Sequence, residues 1–485
     1  MSDTSDRDAS RRELRANAPL LDAYLKYFET SRTPFTIPGH KQSASKLDAG
    51  LGQVVDSDTP LYGGLDEIKL TNQTLTKAEE LAADLWGADF ARFSTGGSTH
   101  ANQAIILALG KPGDKVAISR TAHRSVLSAL VLAGLEPLWL APEIDLATGV
   151  PIGVTLSEFE RVLSQNPIAL LLTEPGYLGT LSNLEPLIKA AHEKAIPVIV
   201  DAAWGGHFGF SELTPKHVLD MGADALITSV HKALPGYSAS ALLLAKSKYL
   251  DTKRLEQSFE TTHTTSPAGA PLASIDGVRA LLQDRGNELI SNLVNRVERF
   301  KENLQINFDV PIFLNPSDFA QGRFDPAKIV LRANQLGCSG VEIENALLAK
   351  GIRVEMADRD TVVFLATLAD GEEEFNLLAT ALKVVLKSLQ GAPRESATAL
   401  SWSVVPQVGV SMREAYFAKT EMVDAASAVG RISADLIAPY PPGVAVVAPG
   451  EVLTEQIVNG LTAAKNAGVR IAYATDPTLK TYRVI

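Results

Sequence analysis

The chain of 485 residues has 46% hydrophobic and 21% charged side chains, close to the soluble globular average, which excludes wholesale disorder and predicts about two or three domains. A formal net charge of -11 and a pI near 5.4 argue against partnership with nucleic acid or an anionic membrane, both of which need basic patches, and favour a small-molecule partner. A single cysteine, Cys338, excludes an internal disulfide and a cysteine-based zinc site; it fits a reducing compartment, and no metal is expected.

The first segment, MSDTSDRDASRRELRANAPL, lacks the apolar core of a signal peptide. No later apolar run approaches the roughly 20 residues of a membrane span, so a cytoplasmic protein is expected. Residues 1–60 read as an N-terminal arm, with an amphipathic stretch PLLDAYLKYFE followed by a run rich in Pro, Gly and Ser around TPFTIPGHKQSASK. In residues 61–285, helical patterns alternate with the apolar runs KVAIS, PLWLA, IALLLTEP, IPVIVDAA, ALITSV and SALLLA. That alternation predicts βαβ units and an α/β domain built on a mainly parallel sheet. ASIDGVRALLQDRGNELISNLVNRVERFKENLQ is a long amphipathic helical pattern leading out of this domain. Residues 286–485 carry the shorter strand patterns KIVLRA, IRVEMAD and TVVFLAT and the turn APYPPGVAVVAPGE, which suggest a smaller α+β domain. No fixed-period repeat is present.

Three stretches carry chemistry. In FSTGGSTHANQAIILAL, Gly96, Gly97, Ser98 and Thr99 precede a helix-forming run, and a helix N-terminus with small residues suits a phosphate. Ser98 or Thr99 acting as a plain helix cap gives the same pattern. No GK[ST] follows the glycines and no G-x-G-x-x-G follows a strand, so nucleotide readings lose ground. In IPVIVDAAWGGHFGF, Asp201 ends an apolar run, at the position where ligands meet parallel sheets, although an Asp that caps a turn is also common. In LITSVHKALPG, Lys232 follows the next strand in the same way, either as a solvated strand end or as a functional amine. Together, a lysine, a carboxylate and a phosphate cradle match what pyridoxal phosphate requires.

The segments PFTIPGHK, STGGSTHANQAI, SRTAHRSVLSAL, VDAAWGGHFGF, SVHKALPG, TTHTTSPAGAPLASIDGVRALL and YPPGVAVVAPGE occur in an order that resembles the bacterial ornithine/lysine/arginine decarboxylase family. The similarity runs over nearly the whole chain. It implies a fold-type-I, pyridoxal-phosphate-dependent transferase-like large domain and decarboxylation of a basic L-amino acid to its amine and CO2, in polyamine metabolism. By position it makes Lys232 the Schiff-base lysine, Asp201 the partner of the pyridine nitrogen and His123 the imidazole stacked on the cofactor ring. Ser98, Thr99, Ser229 and His231 would hold the phosphate, and Ala203 would back the ring. Thr265 would reach the cofactor of a partner subunit, because family active sites lie at dimer interfaces, which implies a homodimer or a dimer-based oligomer. Glu451 and Glu355 are the candidates for the substrate's distal cation, and either Lys232 or His123 would return the proton after CO2 leaves.

Two departures stand out. Members often carry glutamine shortly after the lysine, where this chain has GYSAS, and the chain resembles the shorter members without an N-terminal wing domain. An aminotransferase of the same fold is the alternative, but the HK pair at the lysine and the lack of a recognisable carboxylate-binding arginine favour decarboxylation. A noncatalytic regulator would be expected to lose the lysine, aspartate or cradle that this chain retains.

Overall fold

The computed structural model describes residues 14–30, 58, 59, 61, 66, 73–396, 405–440, 443–466 and 468–485; the stretch PFTIPGHK lies outside them. Its centre is a seven-stranded sheet. The strands are β1 (Phe90–Ser94), β2 (Lys115–Ser119), β3 (Glu136–Leu140), β4 (Leu170–Thr173), β5 (Val198–Asp201), β6 (Ala225–Ser229) and β7 (Ala241–Ala245). They lie in the order β1-β7-β6-β5-β4-β2-β3. The expected mainly parallel arrangement is found: β3, β2, β4, β5 and β6 pair in parallel, and β7 runs against both β6 and β1. That reversal returns the carboxyl end of β1 to the edge shared by β4, β5 and β6.

Burial explains why these strands read as unbroken apolar runs. Leu170, Leu172, Val198, Val200, Leu226 and Leu242 pack into one core, and the alternate residues Leu171, Ile199, Ile227 and Leu243 pack into a second. A sheet covered on both faces has no polar side to show. The strand β1 was not apparent from sequence because Arg92 interrupts it, and that guanidinium is held by Glu79 at 3.3 Å and Glu256 at 2.5 Å.

Helices cover the sheet: α1 (Pro19–Thr30), α2 (Thr74–Trp86), α3 (Gly97–Leu109), α4 (Arg124–Ala133), α5 (Leu156–Leu163), α6 (Leu184–His192) and α7 (Thr252–Thr262). α8 (Gly269–Gln305) continues for 37 residues. The amphipathic stretch of the arm is α1; its Leu20 is buried and its backbone N–H donates to Asp276 of α8 at 2.8 Å.

The expected domain boundary at residue 285 falls inside α8, a continuous helix. Beyond α8, the strands β8 (Ile329–Arg332), β9 (Met356–Ala357) and β10 (Thr361–Phe364) form an antiparallel sheet in the order β8-β10-β9. Ile329, Leu331 and Val362 from this sheet share a core with the large sheet and with Phe300 of α8. Residues 405–485 instead build their own core around Ile437, Val447, Leu461 and Tyr482. Among the described residues no helix is long and apolar enough to cross a membrane.

Candidate active site

The carboxyl edge of the sheet opens onto a cavity of about 280 Å³. Eight of the nine cofactor residues expected from sequence line it: Ser98, Thr99, His123, Asp201, Ala203, Ser229, His231 and Lys232. They arrive from separate elements, each placed by the strand before it. Gly96 precedes α3 and Gly97 to Thr99 are its first residues, His123 precedes α4, Asp201 ends β5, and Ser229 ends β6 with His231 and Lys232 just after it.

Small residues shape the β1–α3 turn. Gly97 has φ +67, in the left-handed region, and a Cβ on Gly96 would meet the Cβ of His100 at 2.7 Å. Ser98 Oγ lies 2.8 Å from Ser229 Oγ, so hydroxyls from two elements meet at the helix N-terminus. The carbonyl oxygen of Ser240 accepts from His231 Nδ1 at 2.9 Å, which leaves Nε2 for the cavity.

Asp201 is 2% exposed. Its carboxylate accepts from Asn102 Nδ2 at 2.8 Å and from the backbone N–H of Ala203 at 3.2 Å. Burial pushes the Lys232 amine below the ordinary lysine range, against the opposing pull of Asp201 and Glu355. His123 is likewise pushed down, first by burial and then by the Lys232 and Arg124 cations, while Asp201 pulls it up. As the residue preceding α4, His123 caps that helix by accepting the backbone N–H of Ser125.

Two expected residues stand apart from the cavity. Glu451 is corrected: it is 1% exposed and clamped by Arg120, whose two terminal nitrogens donate to its oxygens at 2.5 and 2.9 Å. It also accepts the backbone N–H of Ala448 at 2.7 Å. Arg120 follows β2, so this pair fastens the C-terminal segment to the sheet, and Glu451 does not line the cavity. Thr265 is exposed and does not line the cavity of its own chain. Glu355 is exposed, and its charge acts on both Lys232 and Lys328, which puts it beside the site.

Several residues in and behind the cavity wall escaped the sequence reading. Tyr177 and Thr173 line the cavity, and their buried hydroxyls find no hydrogen-bond partner among the described residues. Trp204 lies under two ammonium groups, Lys232 Nζ at 4.6 Å from the ring centroid and Lys328 Nζ at 3.8 Å. Burial lowers the Lys328 amine to about 8, although Asp325 and Glu355 oppose the shift. Asp325 in turn is held by His207 Nε2 at 3.0 Å. The lone signal was position: Trp204, within the quoted VDAAWGGHFGF, and Tyr177, just beyond the quoted IALLLTEP, follow β5 and β4 within a few residues, as site residues in parallel sheets do.

A model of the Orn/Lys/Arg decarboxylase major domain matches residues 18–318, and one of that family's C-terminal domain matches residues 399–471. Arginine decarboxylase of Halalkalibacterium halodurans is 31% identical over 479 residues, covering 96% of this chain and 97% of that protein. Arginine decarboxylase of Bacillus anthracis is 30% identical over 481 residues, with 96% and 97% covered. The solved lysine decarboxylase LdcF of Francisella novicida shares the fold, with a TM-score of 0.81 over 96% of this chain and 81% of that one, at 19% identity. The matching of both domain models in order, with relatives aligned from end to end, shows that the chain belongs to the Orn/Lys/Arg decarboxylase family.

Proposed function

We propose that the chain is a pyridoxal-phosphate-dependent decarboxylase of a basic L-amino acid, with arginine ahead of lysine and ornithine. The observation that carries this reading is the convergence of Lys232, Asp201, His123 and the Ser98–Ser229 hydroxyls on one cavity, in a chain of the decarboxylase family. The residues present fit the cofactor. Gly96 and Gly97 allow the tight turn that brings the N-terminus of α3 to the cavity, hydroxyls gather there, and a buried carboxylate lines the same cavity as a lysine whose pKa burial lowers.

Bound pyridoxal phosphate supplies an electron-accepting ring that stabilises the charge left when the α-carboxylate departs. The chain supplies the rest. Ser98, Thr99, Ser229 and His231 would hold the phosphate, and Ala203 and His123 would confine the ring. Asp201, oriented by Asn102 and the Ala203 N–H, would hold a proton on the pyridine nitrogen. Burial makes the Lys232 amine more available as the neutral nucleophile that attaches the cofactor. Glu355 would meet the substrate's distal cation, since Glu451 is closed off by Arg120. Thr265, exposed on its own chain, would complete a partner subunit's site in a homodimer.

No arginine lines the cavity among the described residues, so the site offers no guanidinium clamp for a second carboxylate, and the aminotransferase reading gains no support. Two measurements test the proposal. Borohydride reduction should fix the cofactor to Lys232, and a panel of arginine, lysine, ornithine, leucine and glutamate should release CO2 from the basic members. Label on another lysine, glutamate formed from 2-oxoglutarate, or equal turnover of leucine would refute it.

A further inference from the structure

Behind the cavity runs a chain of hydrogen bonds whose direction follows from donor chemistry. The side-chain nitrogen of Asn102, in α3, donates to Asp201 Oδ2 at 2.8 Å and to Ser125 Oγ at 3.0 Å. Ser125 Oγ lies 2.8 Å from His123 Nδ1, and the backbone N–H of Ser125 donates to that same nitrogen at 3.2 Å. Asn102 is 0% and Ser125 2% exposed, so bulk water does not compete for these groups.

A backbone N–H only donates, so Nδ1 of His123 presents a lone pair, and the single proton of the neutral imidazole sits on Nε2. A carboxylate only accepts, which orients the Asn102 amide nitrogen toward Asp201; the flipped amide would set oxygen against oxygen. Because the same amide also donates to Ser125 Oγ, the hydroxyl proton of Ser125 is left for Nδ1. Asp201 and His123, the two residues expected on the cofactor, are thus joined through two residues with no assigned role.

We propose that Asn102 and Ser125 are positioning residues that hold His123 as the Nε2–H tautomer, so that this imidazole gives the substrate a hydrogen bond and Lys232 alone returns the proton. The proposal rests on the decarboxylase reading. In the step, the bond between the α-carbon and the carboxylate breaks and CO2 leaves neutral. The electron pair left behind takes a proton from the Lys232 ammonium, which becomes an amine. His123 is unsuited to that transfer. Losing the Nε2 proton would make it an imidazolate anion, and protonating Nδ1 first would set its N–H against the N–H of Ser125. The charges facing His123 are Asp201 at the end of β5, Lys232 after β6 and the adjacent Arg124, with the phenol of Tyr177 on the same cavity. Burial and the two cations outweigh Asp201 and keep the ring neutral.

Nitrogen-15 labelling of histidine in the holoenzyme, with His123→Gln for assignment, reads the tautomer directly. The expected spectrum shows an unprotonated Nδ1 and a protonated Nε2 across about pH 6 to 8. A protonated Nδ1 in the wild-type protein overturns the proposal, whatever the activity. Ser125→Ala removes a donor that favours the neutral ring, so the acidic limb of the kcat/KM profile should move up by about one pH unit, and Ser125→Thr should restore it. A limb that stays in place while kcat falls leaves Ser125 a merely structural residue and sinks its positioning role. Wild-type enzyme that releases no CO2 from arginine, lysine or ornithine refutes the decarboxylase reading and the proton assignment with it, whereas the tautomer is still decided by the spectrum alone.

Discussion

Asp201 and Glu451 are both almost fully buried carboxylates in motif-like segments, yet they end in opposite circumstances. Asp201 is held by two neutral donors, the amide of Asn102 and the N–H of Ala203, and faces a cavity with a lysine across it. Glu451 is saturated by a bidentate arginine and a backbone N–H. The first is open to a cationic group in the cavity; the second is already paired with one inside the protein. A buried charge that is open to a cavity signals chemistry, while a buried charge closed by a full counter-charge signals assembly.

The largest effect is expected on the open side. Lys232→Ala should leave a folded protein whose decarboxylation falls by a factor on the order of 10⁴ or more, because the nucleophile that attaches the cofactor is gone. A CO2-release assay at saturating cofactor checks this, and residual turnover within tenfold of wild type would break the contrast.

On the closed side the loss should appear in stability. Glu451→Gln leaves Arg120 buried without its counter-charge, which costs about 3–5 kcal/mol. The denaturation midpoint should fall while KM of the surviving enzyme stays at the wild-type value. The pair Arg120→Met with Glu451→Leu should recover most of the loss, because no uncompensated charge remains. A raised KM with unchanged stability would return Glu451 to the substrate site.

The contrast also shows what could be read in advance. The sheet was legible because doubly buried strands are continuous apolar runs, and Asp201 and Lys232 were legible because each is a charge directly after such a run. β1 was hidden by Arg92, whose partners Glu79 and Glu256 come from helices the strand pattern does not reveal. Glu451 misled because its partner lies 331 residues away, and a contact across that separation leaves no local pattern. Asn102 and Ser125 look like ordinary helix polar residues, and only the fold brings them between Asp201 and His123. The helix that spans residue 285 carries one continuous amphipathic period, so its pattern marks no edge there.

Glu355 is a carboxylate of a third kind, exposed and without saturating partners, near Lys232 and Lys328. If it meets the distal cation, Glu355→Gln should raise KM for arginine by about 10- to 100-fold, the equivalent of about 1.5–3 kcal/mol for a charged hydrogen bond. Its melting temperature should match wild type, since water already solvates the group. An unchanged KM would leave the cation's partner to be sought elsewhere.

Glu174 sharpens the comparison most, because it is buried and hydrogen-bonded by neutral groups alone. It is 2% exposed, and its carboxyl accepts from the backbone N–H of Ser182 at 3.0 Å and from the Ser182 hydroxyl. Burial raises its pKa from 4.5 to about 7, although the Ser182 bonds and the Arg323 charge oppose the shift. The folded state therefore keeps a proton that the unfolded state has already lost. The stability this contributes is fully present below the unfolded value of 4.5 and is lost as pH rises through about 7. A shift of this size corresponds to about 3 kcal/mol between those limits. Glu174→Gln keeps the shape and the Ser182 contacts but does not titrate, so its melting temperature should fall less than wild type's between about pH 5 and pH 8. At the upper end the variant should be the more stable protein, the opposite of the outcome expected for Glu451→Gln. Melting curves that run parallel for the two proteins across that range would show that burial alone, without regard to the charge of the partner, decides what a carboxyl costs here.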